Sequence, residues 1–81
     1  MECKVKSILE AAFQGINVIT EVLSDGRISG SVIWAGFDGL DEVDRQTIVR
    51  NELRDKLGND ARQVGILLTY TPDELDAMNA A

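Results

Sequence analysis

The basic residues of this sequence are concentrated in one segment of an otherwise acidic chain. The chain has eight lysines and arginines against fourteen aspartates and glutamates, which gives a net charge of −6. Within residues 45–62, however, five basic residues outnumber three acidic ones. Clustered guanidinium and ammonium groups are the usual contacts to nucleic-acid phosphates. The sequence therefore predicts a phosphate-contacting surface formed by Arg45, Arg50, Arg54, Lys56 and Arg62.

A solvent-exposed helix face without a ligand is the alternative interpretation of the same segment. Arg50 and Arg54 are four residues apart, so a helix would place them side by side and away from its apolar stripe. Glu52 and Lys56 have the same spacing, which favours an ion pair along the helix. The negative charge of the whole chain also opposes diffuse binding to a polyanion.

A cluster of acidic residues precedes this segment. Residues 37–44 contain four carboxylates but lack the ligand spacing of a calcium-binding loop. Acidic residues are also favoured in the first turn of a helix, where they complement the helix dipole without any ligand. We therefore predict no metal site from Asp38, Asp41, Glu42 and Asp44.

The cysteine and histidine content limits the chemistry further. Histidine is absent and Cys3 is the single cysteine, so the chain has no histidine base and no intrachain disulfide. We therefore expect no enzymatic activity and no cofactor. Cys3 lies near the N-terminus beside Lys4 and Lys6, and we predict that it is exposed and forms a disulfide-linked homodimer under oxidation. No apolar run approaches membrane-spanning length, and we expect a reduced, cytoplasmic location without membrane association.

The hydrophobic periodicity predicts the elements that must position these residues. The predicted order is helix, strand, strand, helix, strand, helix, over residues 3–14, 16–23, 28–35, 41–57, 63–70 and 72–78. Asp25-Gly26 predicts a hairpin between the first two strands. Gly30, inside the second strand, indicates a bulge, a close backbone approach or merely a weak strand position.

The core of such a fold can also be read from the pattern. Helical stripes place Val5, Leu9 and Phe13 on one face of the first helix and Val49, Leu53 and Leu57 on one face of the second. In the first strand, Ile16, Val18 and Val22 share a side; in the third, Val64, Ile66, Leu68 and Tyr70 do. We predict an α+β domain, a three-stranded mixed sheet with the helices on one face.

Three motifs, spread over most of the chain, resemble the BolA-like protein family. They are Phe37-x-Gly39-Leu40, Val43-x-Arg45-x-x-Ile48-Val49 and Thr69-Tyr70-Thr71-Pro72-Asp73-Glu74. The resemblance implies a single BolA-like domain over residues 1–81 with a small class II KH-like fold. It also implies one of two roles. Some BolA-like proteins are DNA-binding transcriptional regulators of stress responses, and others pair with monothiol glutaredoxins and share a [2Fe–2S] cluster.

Two positions depart from the family pattern. The family has a histidine cluster ligand where this sequence has Gln46, and its second ligand falls near Arg27. Neither side chain is a ligand for a [2Fe–2S] iron, which takes thiolate or imidazole. The leading hypothesis is therefore a DNA-binding regulator that uses the helix of residues 41–57 and responds to redox conditions through Cys3. The alternative is an adaptor partner of a monothiol glutaredoxin that supplies no histidine ligand.

Overall fold

The computed structural model describes residues 2–79, and the predicted order of elements is confirmed. The helices and strands follow in the order α1 Glu2–Ala12, β1 Asn17–Val22, β2 Ile28–Ile33, α2 Glu42–Leu57, β3 Val64–Tyr70 and α3 Pro72–Asn79. Short 3₁₀ segments, Ala35–Phe37 and Gly58–Gln63, lie on either side of α2. No helix among residues 2–79 is long and apolar enough to cross a membrane.

The three strands form one mixed sheet in the order β1-β2-β3. The hairpin is antiparallel and turns through Gly26, whose φ is 87°, while the backbone N–H of Arg27 donates to Asp25 Oδ1 at 3.0 Å. β3 pairs with β2 in parallel, and its register shifts between the partners of Ile28 and Gly30. The predicted hairpin and mixed sheet are therefore confirmed. The extra residue of the irregularity lies in β3, and at Gly30 the structure shows a close backbone approach to Ile19 of β1.

The helix α2 has the boundaries that its capping residues predict. Asp41 is the N-cap, and its carboxylate accepts a hydrogen bond from the backbone N–H of Asp44 at 2.9 Å. At the other end Gly58 has a φ of 59°, a left-handed conformation in which glycine has no Cβ penalty. Asp41 and Gly58 therefore set the start and the end of α2, the helix that carries Arg50 and Arg54.

The core lies between the sheet and the two longer helices. The predicted stripes of α1 and α2 are buried there with inward residues of the sheet and Phe37; its members include Val5, Leu9, Val18, Ile28, Val32, Val49, Leu53, Leu57 and Leu67. Val22 lies on the same side of β1 as Val18, as the alternation predicts, but it is 54% exposed. Glu2, at the start of α1, accepts a hydrogen bond from the Thr20 hydroxyl. The helix therefore covers β1 only as far as Thr20.

In β3 the face turned toward the helices is the less apolar of the two. Leu67 and Thr69 are buried, whereas Ile66 and Leu68 are 66% and 46% exposed. A strand alternates its side chains between two faces, so burying Leu67 necessarily turns its neighbours outward. The inward residues Leu67 and Thr69 also contact α2, and they are part of the site described next.

Candidate nucleic-acid interface

A cleft lies between α2, the 3₁₀ segment after it, and β3. Its volume is about 320 Å³. Val49 and Leu53 of α2 line it on one side, and Val64 and Leu67 of β3 line it on the other. The apolar stripe of α2 predicts Val49 and Leu53 only as core residues, and no pattern in the sequence predicts this cleft.

Three of the five predicted phosphate contacts line this cleft together, namely Arg50, Arg54 and Arg62. All three are exposed, and Arg50 and Arg54 are one turn apart on α2, as their spacing predicts. Among residues 2–79 the ion pairs involve Arg45 and Lys56 instead, so these three guanidinium groups have no carboxylate partner in that part of the chain. No acidic residue lines the cleft.

The prediction that Arg45 contacts phosphate is wrong. Arg45 is only 8% exposed, and its Nη1 and Nη2 donate to the two carboxylate oxygens of Glu74 at 2.7 and 3.1 Å. Its Nε donates to the carbonyl oxygen of Leu40 at 2.9 Å. A bidentate pair of this geometry holds both side chains in place. Arg45 therefore anchors α3 to α2 and is not available to an external ligand.

Lys56 also lies outside the cleft. Its Nζ is 3.9 Å from Glu52 Oε1, so the predicted ion pair along the helix is confirmed. Lys56 and Glu52 lie beside Ile8 and Ala11 of α1, and neither lines the cleft. An exposed pair of this kind contributes little to stability. The basic segment is thus divided between three different environments.

The contacts of Glu74 predict a pH dependence of stability. The hydrogen bonds from Arg45, and then the one from the backbone N–H of Thr71, lower the pKa of Glu74 from its usual 4.5 to about 2. A carboxyl whose pKa is lower in the folded state stabilises the fold above its unfolded pKa and loses that contribution as the pH falls toward the folded pKa. We therefore expect stability to fall between about pH 5 and pH 2.

Thermal melts of the wild type and Glu74→Gln over this pH range test that expectation. The variant lacks the titrating group, so its melting temperature should fall less steeply between those pH values. Asp73→Asn is the matched control, because Asp73 is exposed in the same turn and should leave the wild-type profile unchanged. Identical profiles for the wild type and Glu74→Gln would contradict the pairing.

Gln46 holds one end of the cleft together. Its Nε2 donates to the carbonyl oxygen of Leu67 at 2.7 Å and to Glu42 Oε1 at 3.0 Å. Glu42 in turn accepts a hydrogen bond from the Thr69 hydroxyl at 3.0 Å. These contacts join the first turns of α2 to β3 and orient the Gln46 amide nitrogen away from any ligand role.

The two positions that the resemblance assigns to cluster ligands do not fit an iron–sulfur cluster. The Gln46 amide nitrogen is a hydrogen-bond donor without a lone pair to offer, and Arg27 is an exposed guanidinium on the hairpin. Iron in such clusters is held by thiolate or imidazole. Cys3 is exposed in the first turn of α1, as predicted, and does not line the cleft. Its redox role stays a prediction.

Comparisons with solved structures identify the fold. BolA1 from Arabidopsis thaliana has a TM-score of 0.70 with this chain at 20% sequence identity, covering 89% of this chain and 92% of that chain. A bol-like protein from Babesia bovis has a TM-score of 0.66 at 19% identity, covering 98% and 93%. No family model and no curated protein sequence matches this chain. At these identities the likeness is one of architecture, and the chain has a BolA-like fold.

Proposed function

We propose that the protein binds nucleic acid through the cleft between α2 and β3. The observation that carries this proposal is the local charge: three arginines and no acidic residue line the cleft of a chain whose net charge is −6. In an acidic chain with randomly placed charges, the charged residues of one concave surface would not be expected to be all basic. This local reversal of sign indicates an anionic ligand.

The arginines are suited to phosphate by their chemistry and their setting. A guanidinium group binds phosphate oxygens through two parallel hydrogen bonds, and it remains charged at every physiological pH. The cleft walls include the apolar residues Val49, Leu53 and Leu67. Walls of low dielectric constant concentrate the electric field of nearby cations within a cleft. Because the side chains of Arg50, Arg54 and Arg62 are exposed, they can contact phosphates without breaking an ion pair within residues 2–79.

The salt dependence of binding tests this proposal. With three phosphate contacts, the slope of log affinity against log salt should be about −2.1 to −2.7, so that affinity falls about 20- to 40-fold between about 50 and 200 mM salt. Fluorescence anisotropy with labelled oligonucleotides measures it. The double variant Arg50→Ala/Arg54→Ala should reduce the magnitude of the slope by up to about two.

The double variant Lys4→Ala/Lys6→Ala is the matched control. It removes the same two charges from exposed positions of α1, outside the cleft, and should leave the slope unchanged. If both double variants changed the slope equally, the binding would be a general charge effect and the cleft would not be the site. Failure of the wild type to bind at low salt would reject the proposal and favour the glutaredoxin-adaptor hypothesis.

A further inference from the structure

We propose that Asp38-Gly39, in the loop before α2, is a site of spontaneous covalent modification at which Asp38 converts to isoaspartate. The chain contains two Asp-Gly dipeptides, Asp25-Gly26 in the hairpin and Asp38-Gly39. Glycine has no Cβ atom to shield its amide nitrogen, so an aspartate that precedes glycine is the most susceptible to this reaction. The hydrogen bonds of the two loops differ, and the difference selects Asp38 over Asp25.

The reaction closes a ring and then reopens it. The backbone nitrogen of Gly39 attacks the side-chain carboxyl carbon of Asp38, a C–N bond forms, and the carboxyl hydroxyl leaves as water with the amide proton. Water then adds to the cyclic imide. Cleavage of the bond between the nitrogen and the main-chain carbonyl carbon of Asp38 gives isoaspartate, and cleavage of the new C–N bond restores aspartate. The reaction needs no oxidant, reductant or cofactor.

The attacking nitrogen is free at one dipeptide and engaged at the other. The backbone N–H of Gly26 donates to the carbonyl oxygen of Leu23 at 2.9 Å. The backbone N–H of Gly39 donates to no group within residues 2–79. A nitrogen that is already hydrogen-bonded must lose that bond before it can attack, which adds to the barrier. Gly39 is therefore the better nucleophile of the two glycines.

The carboxyl groups differ in the same sense. Asp25 Oδ1 accepts a hydrogen bond from the backbone N–H of Arg27 at 3.0 Å, and this contact fixes the side chain within the hairpin turn. Asp38 is exposed, and its carboxyl group accepts no hydrogen bond from residues 2–79. The Asp38 side chain is therefore free to rotate toward the nitrogen that follows it, whereas the Asp25 side chain is held away.

The turn at Asp38 can bring the reacting atoms together without unfolding. Asp38, with φ −59° and ψ 133°, and Gly39, with φ 82°, form a type II turn closed by the hydrogen bond from Leu40 N–H to the Phe37 carbonyl oxygen. A type I turn keeps that closing bond with ψ of its first central residue at about −30°. Since the peptide group between the two residues has no hydrogen bond within residues 2–79, it can rotate between these forms. In one direction of this rotation the Gly39 nitrogen passes beside the Asp38 side chain, where the ring closes.

Isoaspartate at this position disturbs the start of α2. The main chain of the product runs through the side-chain carboxyl carbon, which adds one methylene to the path between Phe37 and Leu40. Phe37 is completely buried in a close-packed core and cannot move to compensate, so the closing hydrogen bond of the turn is lost. The carbonyl oxygen of Leu40 accepts from Arg45 Nε at 2.9 Å, so the displaced turn also loosens the residue that anchors α3.

Enzymatic methylation tests the proposal. A protein isoaspartate methyltransferase transfers a radiolabelled methyl group to the free α-carboxylate of isoaspartate and leaves aspartate unlabelled. Trypsin cleaves after Lys6, Arg27 and Arg45, so the peptides 7–27 and 28–45 each contain one of the two dipeptides. After prolonged incubation of the folded protein we expect at least about fivefold more label in 28–45, the factor that two retained hydrogen bonds of ordinary strength give to the protection of Asp25.

Three controls accompany this measurement. The same incubation in denaturant removes the hydrogen bonds of both loops, so the two peptides should then be labelled equally. Asp38→Glu keeps the charge but requires a larger ring, and it should abolish the label in 28–45. Asp25→Glu is the matched variant and should leave that label unchanged. Equal labelling of the two peptides in the folded protein, or label in 28–45 that persists in Asp38→Glu, would overturn the proposal.

Thermal melts of the incubated protein test the structural consequence. The isomerised fraction should melt at least about 4 °C below fresh protein, as the loss of one hydrogen bond predicts for a domain of this size. Incubated Asp38→Glu should melt like fresh Asp38→Glu. An unchanged melting temperature in protein that methylation shows to contain isoaspartate would prove the claimed disturbance of α2 wrong. Neither measurement depends on whether the cleft binds nucleic acid.

Discussion

Substitution of Gly30 by alanine is expected to destabilise the protein by at least about 3 kcal/mol. A Cβ atom at this position would overlap the carbonyl oxygen of Ile19 and lie 2.9 Å from the Cα atom of Thr20. Both atoms belong to the backbone of β1, which pairs with β2 at this point, so no rotamer change can relieve the overlap. The hairpin must separate locally, and hydrogen bonds of the central strand are lost with it.

Thermal unfolding followed by circular dichroism measures this effect. For a domain of this size the expected destabilisation lowers the melting temperature by more than about 12 °C. Gly65→Ala is the matched control, because a Cβ there would meet only the Ile28 carbonyl oxygen, at 3.2 Å, and a shift of a few tenths of an ångström relieves that contact. Similar melting temperatures for Gly30→Ala and Gly65→Ala would contradict the close strand approach.

Substitution of Phe37 by alanine is expected to cost about 3–5 kcal/mol. Phe37 is completely buried, and its ring meets that of Trp34 edge-on with 5.3 Å between the centroids. The guanidinium carbon of Arg45 lies 5.9 Å from the centre of the same ring. The substitution therefore leaves a cavity at the junction of the sheet and α2, beside the residue that anchors α3. In a small domain with a total stability of about 5–15 kcal/mol, this is a large fraction.

Denaturant titration followed by the fluorescence of Trp34 measures this second effect, since Trp34 is the only tryptophan. Phe37→Leu is the control, because leucine fills much of the same space and should cost clearly less than alanine. The emission of native Phe37→Ala should also differ from that of the wild type, because Trp34 loses one aromatic neighbour and keeps Phe13, whose ring centre is 5.0 Å away. Equal stabilities of the alanine and leucine variants would show that the ring does not fill a tightly packed site.

Most elements of the fold could be predicted because their signals are local. The apolar stripes of α1 and α2 follow from a period of 3.6 residues, and the ends of α2 follow from Asp41 and Gly58. The hairpin follows from the left-handed conformation that Gly26 adopts readily. Each of these features depends on residues within one or two turns of chain, so the sequence by itself was sufficient to determine them.

The surface proposed to bind nucleic acid was decided only by the tertiary structure. Five basic residues in one segment looked equivalent, yet Arg45 pairs with Glu74, which lies 29 positions away in the sequence, and Lys56 faces α1. The cleft that collects Arg50, Arg54 and Arg62 exists because β3 packs beside α2 with Leu67 inward. Local sequence pattern determines which side chains a helix presents, but the elements that pack against that helix determine which of them remain free. That packing depends on contacts distant in sequence, which no local pattern contains.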